Sequence, residues 1–368
     1  MKLDYTQRTG NETIDFSVGS RNIAPEPSIM KVLQESIMVP ENYKYAINEL
    51  PEMKSAIHDW YKNRYNVELT YDEMICLQGS QEALSTLFLA MCDPGDIVLV
   101  PDPYYPIFSD GPKIAGAKVE YMPLLQENNY VIQLDQIDEE IAKKAKIMIV
   151  SYPNNPTCAI APDSFYEELI QFAKKYDIVV LHDNAYSELV FDGKVGKSFL
   201  SFEGAKEIGI ELNSFSKTYG MAGARLGVCV GNKEVIDCYN TLKSNMDYGI
   251  FLPIQYAGIE ALRHGGASIH STCQAYQDRR DAICEAFDEV GWHIDKSPAT
   301  MFVWARIPDQ YEDSYAFTKD LMEKTGVVVT PGQAFGVHGT RYVRLALVQD
   351  IEDIQKAAER IKKSEIFK

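Results

Sequence analysis

The sequence lacks the features that would place it among disulfide-rich, metal-binding or membrane proteins. Its seven cysteines and six histidines are scattered, with no CxxC pair, so the sequence predicts neither a disulfide framework nor a zinc site. No apolar run is long enough to cross a bilayer, and the first residues contain no apolar segment of the signal-peptide type. Low-complexity linkers and internal repeats are also missing. We therefore expect a globular protein of the cytoplasm.

The sequence also contains fewer basic than acidic residues. The 368 residues include 53 acidic and 36 basic side chains, which gives a formal net charge of -17. Nucleic acids and anionic membrane surfaces both require concentrated lysine and arginine, so neither is expected as a partner. An anionic ligand must therefore be held by local donors. The length predicts two domains, or one large domain with a smaller partner.

Between about residues 71 and 231, short apolar segments alternate with helical patterns, which predicts a parallel α/β sheet. Continuous apolar runs such as Ile178–Leu181 are typical of strands that are covered on both faces. Helices are predicted over Gln81–Cys92 and Asp163–Tyr176. The predicted strands are Met74–Gly79, Asp96–Pro101, Lys118–Leu124, Lys146–Tyr152, Ile178–His182, Gly209–Ser214 and Leu226–Gly231.

After Gly231 the pattern predicts a smaller α+β unit. A helical region over 233–264, broken near Tyr248-Gly249 and Pro253, is followed by a helix over 274–290 and a closing amphipathic helix. We predict a large domain over residues 41–248 and a small domain formed by 1–40 together with 249–368. The predicted strands of the small domain are Thr300–Ile307, Val327–Thr330 and Tyr342–Val348.

A reactive lysine is predicted at Lys217, which follows an apolar, strand-like run. Desolvation and a nearby cation both favour the neutral amine, which can form a Schiff base with an aldehyde. Ser214, Ser216 and Arg225, eight residues after the lysine, offer a phosphate hydroxyl donors and a permanently charged planar group. The segment therefore suits pyridoxal 5'-phosphate (PLP). The alternative is a solvated Lys/Arg pair in a glycine-rich loop.

Further candidates follow the predicted strands, where open parallel sheets bind their ligands. Ser80 and Gln81 open a helix, and their backbone N–H groups could hold a phosphate; a serine helix cap is the alternative. Tyr105, in Pro103-Tyr104-Tyr105-Pro106, could stack on a flat heteroaromatic ring. Its alternative is simple packing in a loop.

Polar side chains also follow the next two strands. Asn155 could direct its amide at the cofactor's 3'-oxygen, unless Asn154-Asn155-Pro156 is a plain Asx turn. Asp183 ends an apolar strand, where a carboxylate is costly unless it is paired. The protonated ring nitrogen of PLP is such a partner and keeps the ring an electron sink, whereas helix capping is the alternative. Tyr186 could hydrogen-bond the 3'-oxygen.

One arginine lies inside an apolar strand near the end of the chain. Arg344, in Tyr342-Val343-Arg344-Leu345-Ala346-Leu347, could bind a substrate carboxylate in bidentate fashion if it is half-buried against a cleft. The alternative is a surface arginine on an edge strand, which is the interpretation we favour for Arg341.

In their order and spacing these motifs resemble the class I/II aminotransferases of PLP fold type I, over nearly the whole chain. The shared motifs are Asn-Asn-Pro-Thr, Asp-x-x-Tyr, Ser-x-Ser-Lys with its later arginine, and Arg-Leu-Ala. The resemblance implies a homodimer with a mainly parallel seven-stranded sheet, flanked by helices, and a smaller α+β domain. It also implies PLP-dependent transfer of an amino group between an amino acid and a 2-oxo acid.

The resemblance also assigns a role to each candidate residue. Lys217 would form the Schiff base and move the proton, while Asp183 would pair with the ring nitrogen. The 3'-oxygen would be bound by Asn155 and Tyr186, and the ring would stack on Tyr105. The phosphate would be held by Ser80, Gln81, Ser214, Ser216 and Arg225, and the substrate would contact Arg344, Asn155 and Gly19.

Three segments are similar to the branch of the family that is related to LL-diaminopimelate aminotransferase. They are Ser109–Gly116, Tyr121–Leu124 and Lys243–Asp247. This branch contains enzymes of different specificity, so the amino acid substrate stays open. Other PLP reactions on this fold, a C–S β-lyase or a histidinol-phosphate aminotransferase, are the alternative. A non-enzymatic regulator would need an appended DNA-binding domain or a lost lysine, and this sequence has neither.

The sequence departs from the family's pattern at a few positions. Cys158 replaces a usual glycine, for which we expect a tolerated change of turn, and Ala224 occupies a position that is often bulky. The N-terminal Tyr-x5-Gly-x3-Leu-Arg pattern lacks its glycine, which leaves either Tyr43 or Tyr45 as the residue expected to reach the neighbouring subunit's cofactor. Lys54 stands at the arginine position and is expected at the surface.

Overall fold

The computed structural model describes residues 2–19 and 23–367 of the chain. Among these residues the strands are β1 (Ile14–Asp15), β2 (Met74–Leu77), β3 (Ile97–Asp102), β4 (Lys118–Pro123), β5 (Ala145–Ser151), β6 (Val179–Asp183), β7 (Gly209–Ser214), β8 (Gly227–Gly231), β9 (Phe302–Arg306), β10 (Val327–Val328), β11 (Thr330–Pro331) and β12 (Tyr342–Ala346).

The helices of the described residues pack around these strands. They are α1 (Lys2–Thr9), α2 (Pro27–Ile37), α3 (Pro51–Tyr65), α4 (Gln81–Met91), α5 (Ile107–Ile114), α6 (Glu139–Ala142), α7 (Asp163–Tyr176), α8 (Ala205–Ile208), α9 (Phe215–Thr218), α10 (Lys233–Met246), α11 (Leu252–His264), α12 (Gly266–Asp288), α13 (Ser314–Thr325) and α14 (Ile351–Ser364).

The large sheet has seven strands in the order β2-β8-β7-β6-β5-β3-β4. Strand β8 pairs antiparallel with both of its neighbours, and the remaining pairs are parallel. The α/β class and all seven predicted strands of this region are confirmed, with bounds that agree to within two residues. Because parallel strands run in the same direction, their carboxyl ends lie together at one edge of the sheet.

The C-terminal region forms a three-stranded antiparallel sheet in the order β11-β12-β9. The N-terminal segment joins this region, because β1 pairs with β10. The long helical region breaks at Tyr248-Gly249 as predicted, but Pro253 lies in the first turn of α11 rather than at a break. There proline costs little, since its missing N–H would have no intrahelical partner.

Helix α12 begins at Gly266, eight residues before the predicted start at Gln274. Glycine disfavours a helix interior, but at the first positions its cost is small. The predicted strand Val327–Thr330 is divided into β10 and β11, and the predicted strand Tyr342–Val348 ends at Ala346. The early start of α12 and the early end at Ala346 lie at element ends, where local sequence signals are weakest. The division at Val329 lies inside the predicted strand, because β10 pairs with β1 whereas β11 pairs with β12.

Three large apolar cores stabilise the described part of the fold. One face of the large sheet packs against α2, α3, α7 and α11, and the other packs against α4, α5 and α10. The third core, which includes Phe16, Trp292 and Phe317, lies in the C-terminal region. Helix α11 shares a core with the large sheet, although the predicted division assigns residues 252–264 to the small domain. The division into 41–248 and 1–40 plus 249–368 stays a prediction.

Candidate active site

A cavity of about 370 Å³ lies beyond the carboxyl ends of the parallel strands. Every residue predicted for the cofactor or the substrate lines it. These residues are Gly19, Ser80, Gln81, Tyr105, Asn155, Asp183, Tyr186, Ser214, Ser216, Lys217, Arg225 and Arg344. Residues that are up to 325 positions apart in the chain therefore meet in one place.

One end of the cavity carries donors suited to a phosphate. Ser80 precedes α4, and its hydroxyl makes no capping hydrogen bond, so the predicted alternative of a serine cap does not describe it. Gly79 has φ +77°, and a Cβ there would lie 2.3 Å from Nη2 of Arg225. Only glycine therefore lets the guanidinium lie against this turn.

The elements that form this end of the cavity are in close contact with one another. A Cβ at Gly227 would lie 2.8 Å from the backbone nitrogen of Ser80, so β8 approaches the start of α4 through a glycine. Ser214 ends β7 and accepts a 3.2 Å hydrogen bond from the backbone N–H of Ser216. The hydroxyls and N–H groups of this corner converge with the Arg225 guanidinium, which is a donor set that phosphate binds.

Lys217 lies in the last turn of the short helix α9 and is part-buried. Its Nζ donates a 2.7 Å hydrogen bond to the carbonyl oxygen of Gly19. The lysine therefore connects the large sheet to the N-terminal segment, and it is not one half of a solvated Lys/Arg pair. A Cβ at Gly19 would lie 2.6 Å from the ring of Phe302, so this close approach of the segment needs glycine.

Asp183 is a buried carboxylate whose Oδ1 has no hydrogen-bond partner among the described residues. Burial raises its pKa to about 7; the charge of Glu211 adds to this effect, and the N–H of Ala185 opposes it. A turn follows the residue, so it caps no helix. Burying an unpaired carboxylate is costly, so a cationic ligand group in the cavity would stabilise the ionised form of Asp183.

The two adjacent asparagines have different roles. Asn154 makes the Asx turn, since its Oδ1 accepts hydrogen bonds from the backbone and the hydroxyl of Thr157 at 3.1 and 2.8 Å. Asn155 lines the cavity, where its Oδ1 accepts a 2.9 Å hydrogen bond from Nη1 of Arg344. Its amide nitrogen donates to no protein group among the described residues, which leaves it available to a ligand.

Two tyrosines line the cavity beside Asp183. Burial raises the pKa of the Tyr186 phenol, which therefore stays protonated and can donate a hydrogen bond. Tyr105 donates a 3.0 Å hydrogen bond to Oε1 of Gln81, and its ring packs edge-on against Phe108. That bond fixes the Tyr105 ring at the cavity wall and links it to the phosphate end.

Arg344 lies in β12, the central strand of its sheet, with its guanidinium between the rings of Phe302 and Phe335 at 4.1 and 4.6 Å. No carboxylate among the described residues forms an ion pair with it, and burial lowers its pKa to about 10. A buried cation without an acidic partner is suited to an anionic ligand. Arg341, in contrast, pairs with Asp309 near the surface.

The family model for aminotransferase class I and II matches residues 11–361 of the chain. The chain belongs to this family. Its curated relatives include the LL-diaminopimelate aminotransferases of Halothermothrix orenii and Moorella thermoacetica, which are 44% and 40% identical to this aminotransferase. Each alignment covers 98% of this chain and 93% of the relative.

Solved structures of aminotransferases have the same fold. Substrate-bound BacF of Bacillus subtilis matches with a TM-score of 0.94 and 36% identity, over 98% of this chain and 92% of that one. A probable N-succinyldiaminopimelate aminotransferase of Thermus thermophilus matches with a TM-score of 0.92 and 32% identity, over 99% and 97%. The reaction is therefore amino transfer between small molecules, which favours the main prediction over the lyase alternative. The names of the curated relatives favour it over the histidinol-phosphate alternative.

Several residues that line the aminotransferase's cavity are not predicted from the sequence: Val18, Leu84, Ala185, Ala222 and Phe302. Ala185 lies between Asp183 and Tyr186, and Ala222 lies between Lys217 and Arg225, so their places in these motifs could have predicted that they line the cavity. Phe302 gave none, because an apolar residue in a strand has the same pattern whether it faces a core or a cavity.

The departures from the family's pattern have a structural explanation at two positions. Cys158 has φ +64°, in the left-handed region that glycine favours. Its thiol donates to the carbonyl oxygen of Phe302 at 3.2 Å, and burial raises its pKa to about 12, so it is no nucleophile. Lys54 was expected at the surface, but its side chain is 22% exposed and pairs with Glu49. Ala224 does not line the cavity.

Proposed function

We propose that this aminotransferase uses PLP, with Lys217 as the amine that bonds to the cofactor's aldehyde carbon. The observation that carries the proposal is Asp183 Oδ1, which is buried, has no hydrogen-bond partner in the described part of the chain and lies in the same cavity as that lysine. A protonated pyridine nitrogen supplies the cation that this carboxylate lacks. At the other end of the cavity, Ser80, Ser216 and Arg225 suit the phosphate.

Each residue would then contribute one part of the reaction. When bound, the cofactor supplies an electron sink for the pair that is left when the substrate Cα loses its proton. The substrate's amino group would replace Lys217 on the aldehyde carbon, and the freed Nζ would then take the proton from Cα and return it elsewhere on the conjugated system. Asp183 would hold the ring nitrogen protonated. Asn155 and Tyr186 would donate hydrogen bonds to the 3'-oxygen, and the Tyr105 ring would cover one face of the cofactor.

The substrate is proposed to be an α-amino acid held by Arg344. Its guanidinium is buried, has no acidic partner among the described residues and lines the same cavity as Lys217. An α-carboxylate would neutralise it through two parallel hydrogen bonds. Gly19 and Val18 would close the cavity from the N-terminal side, which excludes water. The relatives' name makes LL-diaminopimelate the first donor to assay.

A homodimer is also part of the proposal. An exposed aromatic and aliphatic surface supports it, formed by Met38, Tyr43, Tyr45, Ile47 and Tyr248, because soluble proteins rarely leave such patches uncovered. The Tyr43 hydroxyl donates to the carbonyl oxygen of Ile37 at 2.9 Å. The Tyr45 ring packs on Tyr248. One of these two tyrosines would reach the neighbouring subunit's cofactor.

No helix in the described part of the chain is both long and apolar enough to cross a membrane. The cytoplasmic location stays a prediction from the sequence.

The test is spectroscopic. The purified full-length protein is titrated with PLP, and the absorbance band of the lysine-bound cofactor is followed. A panel of amino donors, including LL-diaminopimelate and aromatic amino acids, is then added without an acceptor. We expect donors to remove the band and 2-oxo acids to restore it. Pyruvate and ammonia released without an acceptor would indicate a lyase and contradict the proposal.

A further inference from the structure

Lys243 is a nearly fully buried lysine outside the cavity, with only 5% of its side chain exposed. It lies on α10 and begins the segment Lys243–Asp247, which the family resemblance singled out but which the proposed reaction does not use. A buried ammonium is costly unless it is paired and hydrogen-bonded. Its surroundings therefore indicate what it does.

Two carboxylates surround the ammonium. Lys243 Nζ lies 2.7 Å from Oε1 of Glu82, in the first turn of α4, and 2.7 Å from Oδ2 of Asp247. Both carboxylates are largely buried, with side-chain exposures of 12% and 21%. One cation thus holds two anions, and the cluster is acidic overall.

Both carboxylates bind the same residue, Gln78. Its backbone N–H donates to Oε2 of Glu82, and its Nε2 donates to Oδ2 of Asp247 at 3.1 Å. The carbonyl oxygen of Gln78 accepts a 3.3 Å hydrogen bond from Nη2 of Arg225. An unbroken series of contacts therefore joins the buried ammonium to the loop that carries the proposed phosphate donors.

Gln78 directly precedes Gly79 and Ser80, so the ion-paired cluster fixes the backbone that leads into α4. Neither Lys243 nor its two carboxylate partners lines the cavity. Any effect of Lys243 on a bound phosphate must therefore act through the position of this loop and through its charge.

We propose that Lys243 is a positioning residue for the cofactor's phosphate group, an inference that rests on the proposed use of PLP. Without the ammonium, Glu82 and Asp247 would repel each other, and Gln78 would lose its fixed anchor. The Glu82 carboxylate could also turn toward the N–H groups at the start of α4, which attract anions. It would then compete with the phosphate for the same donors.

The test compares Lys243→Met with a matched control, Lys206→Met. Lys206 also pairs with a carboxylate, Glu73, at 2.8 Å, but it lies away from the cavity and is 36% exposed. For each full-length protein, the dissociation constants of PLP and of pyridoxal, which lacks the phosphate, are measured by absorbance. The increase in melting temperature caused by inorganic phosphate is measured in parallel.

We expect Lys243→Met to weaken PLP binding about tenfold or more, to leave pyridoxal binding nearly unchanged, and to remove the stabilisation by phosphate. Lys206→Met should match the wild type in all three measurements. Lys243→Arg should restore most of the PLP affinity, because it retains the charge.

Equal losses for PLP and pyridoxal would show general damage to the site and overturn the proposal, as would unchanged PLP binding. If Lys243→Met does not fold, Lys243→Gln replaces it, because its amide is polar but uncharged, and we expect a loss that is still specific to the phosphate. A wild-type protein that binds neither compound would refute the proposed function itself, which is a different outcome.

Discussion

Two buried carboxylates on neighbouring strands of the large sheet, Asp183 and Glu211, have opposite surroundings. Glu211 accepts hydrogen bonds from the hydroxyl of Tyr61 at 3.0 Å, the hydroxyl of Ser198 at 3.0 Å and the backbone N–H of Phe199 at 2.8 Å. Asp183 Oδ1 has no partner among the described residues. Both oxygens of Glu211 are therefore hydrogen-bonded within the fold, whereas one oxygen of Asp183 is not.

The alternation of side chains along a strand separates the two groups. His182 and Glu211 are paired residues of β6 and β7, so both point to the face that packs against α3 and α7. Asp183, one residue later and at the strand end, points to the other face and the cavity. Burial alone therefore does not single out a candidate functional carboxylate; the missing hydrogen-bond partner is what distinguishes Asp183 from Glu211.

The largest effect is expected on the Asp183 side of the sheet, from Lys217→Ala. Without the amine, the proposed acceptor of the Cα proton is missing, so turnover should fall by about 10³-fold or more. PLP binding should persist in part, because the phosphate and ring contacts remain. Steady-state rates and a PLP titration measure both quantities. Normal turnover in this variant would refute the assignment of Lys217.

Asp183→Asn is expected to have the next largest effect. The amide has no negative charge to keep the ring nitrogen protonated, so kcat should fall about 10²-fold or more. The fold should tolerate the change, because the replaced carboxylate has an unsatisfied oxygen. Steady-state kinetics and thermal unfolding test both statements. A rate close to that of the wild type would remove Asp183 from the proposed machinery.

Glu211→Gln should show the reverse pattern. The amide nitrogen cannot accept the hydrogen bonds that the second carboxylate oxygen accepts now, so the free energy of unfolding should fall by about 1–3 kcal/mol. Amino transfer by the folded protein should change little. Urea unfolding and kcat are measured on the same preparation. A large loss of kcat at unchanged stability would break the comparison.

The smallest expected effect is a pH dependence of stability without cofactor. The pKa of Asp183 is about 7 in the folded protein against an ordinary value of 3.8, so the folded state retains a proton that the unfolded chain releases. Stability should therefore decrease as the pH rises through this window.

Asp183→Asn removes this titration. Melting temperatures of the two cofactor-free proteins, taken between about pH 5 and about pH 8, should show the variant gaining on the wild type as the pH rises. Parallel curves would contradict the raised pKa.

Much of the fold and of the candidate site could be predicted because the signals are local. The continuous apolar run of β6 and the Lys217 segment each contain their information within a few adjacent residues. The start of α12 could not be predicted in this way, since a glycine-led first turn gives no capping signal. The role of Lys54 was also hidden, because its partner, Glu49, is chosen by packing rather than by sequence pattern.

The sequence by itself determined which groups are candidates for the chemistry of this protein: a lysine, a strand-end carboxylate and the donors of a proposed phosphate site, each in a local motif. Only the tertiary structure decided which carboxylate stays unpartnered, that Asn154 makes the turn while Asn155 faces the cavity, and that Phe302 lies against Gly19. The physical reason is that hydrogen-bond satisfaction and close packing depend on atoms brought together from distant parts of the chain. A motif specifies which chemical group is present, whereas the fold decides whether that group already has a hydrogen-bond partner within the protein.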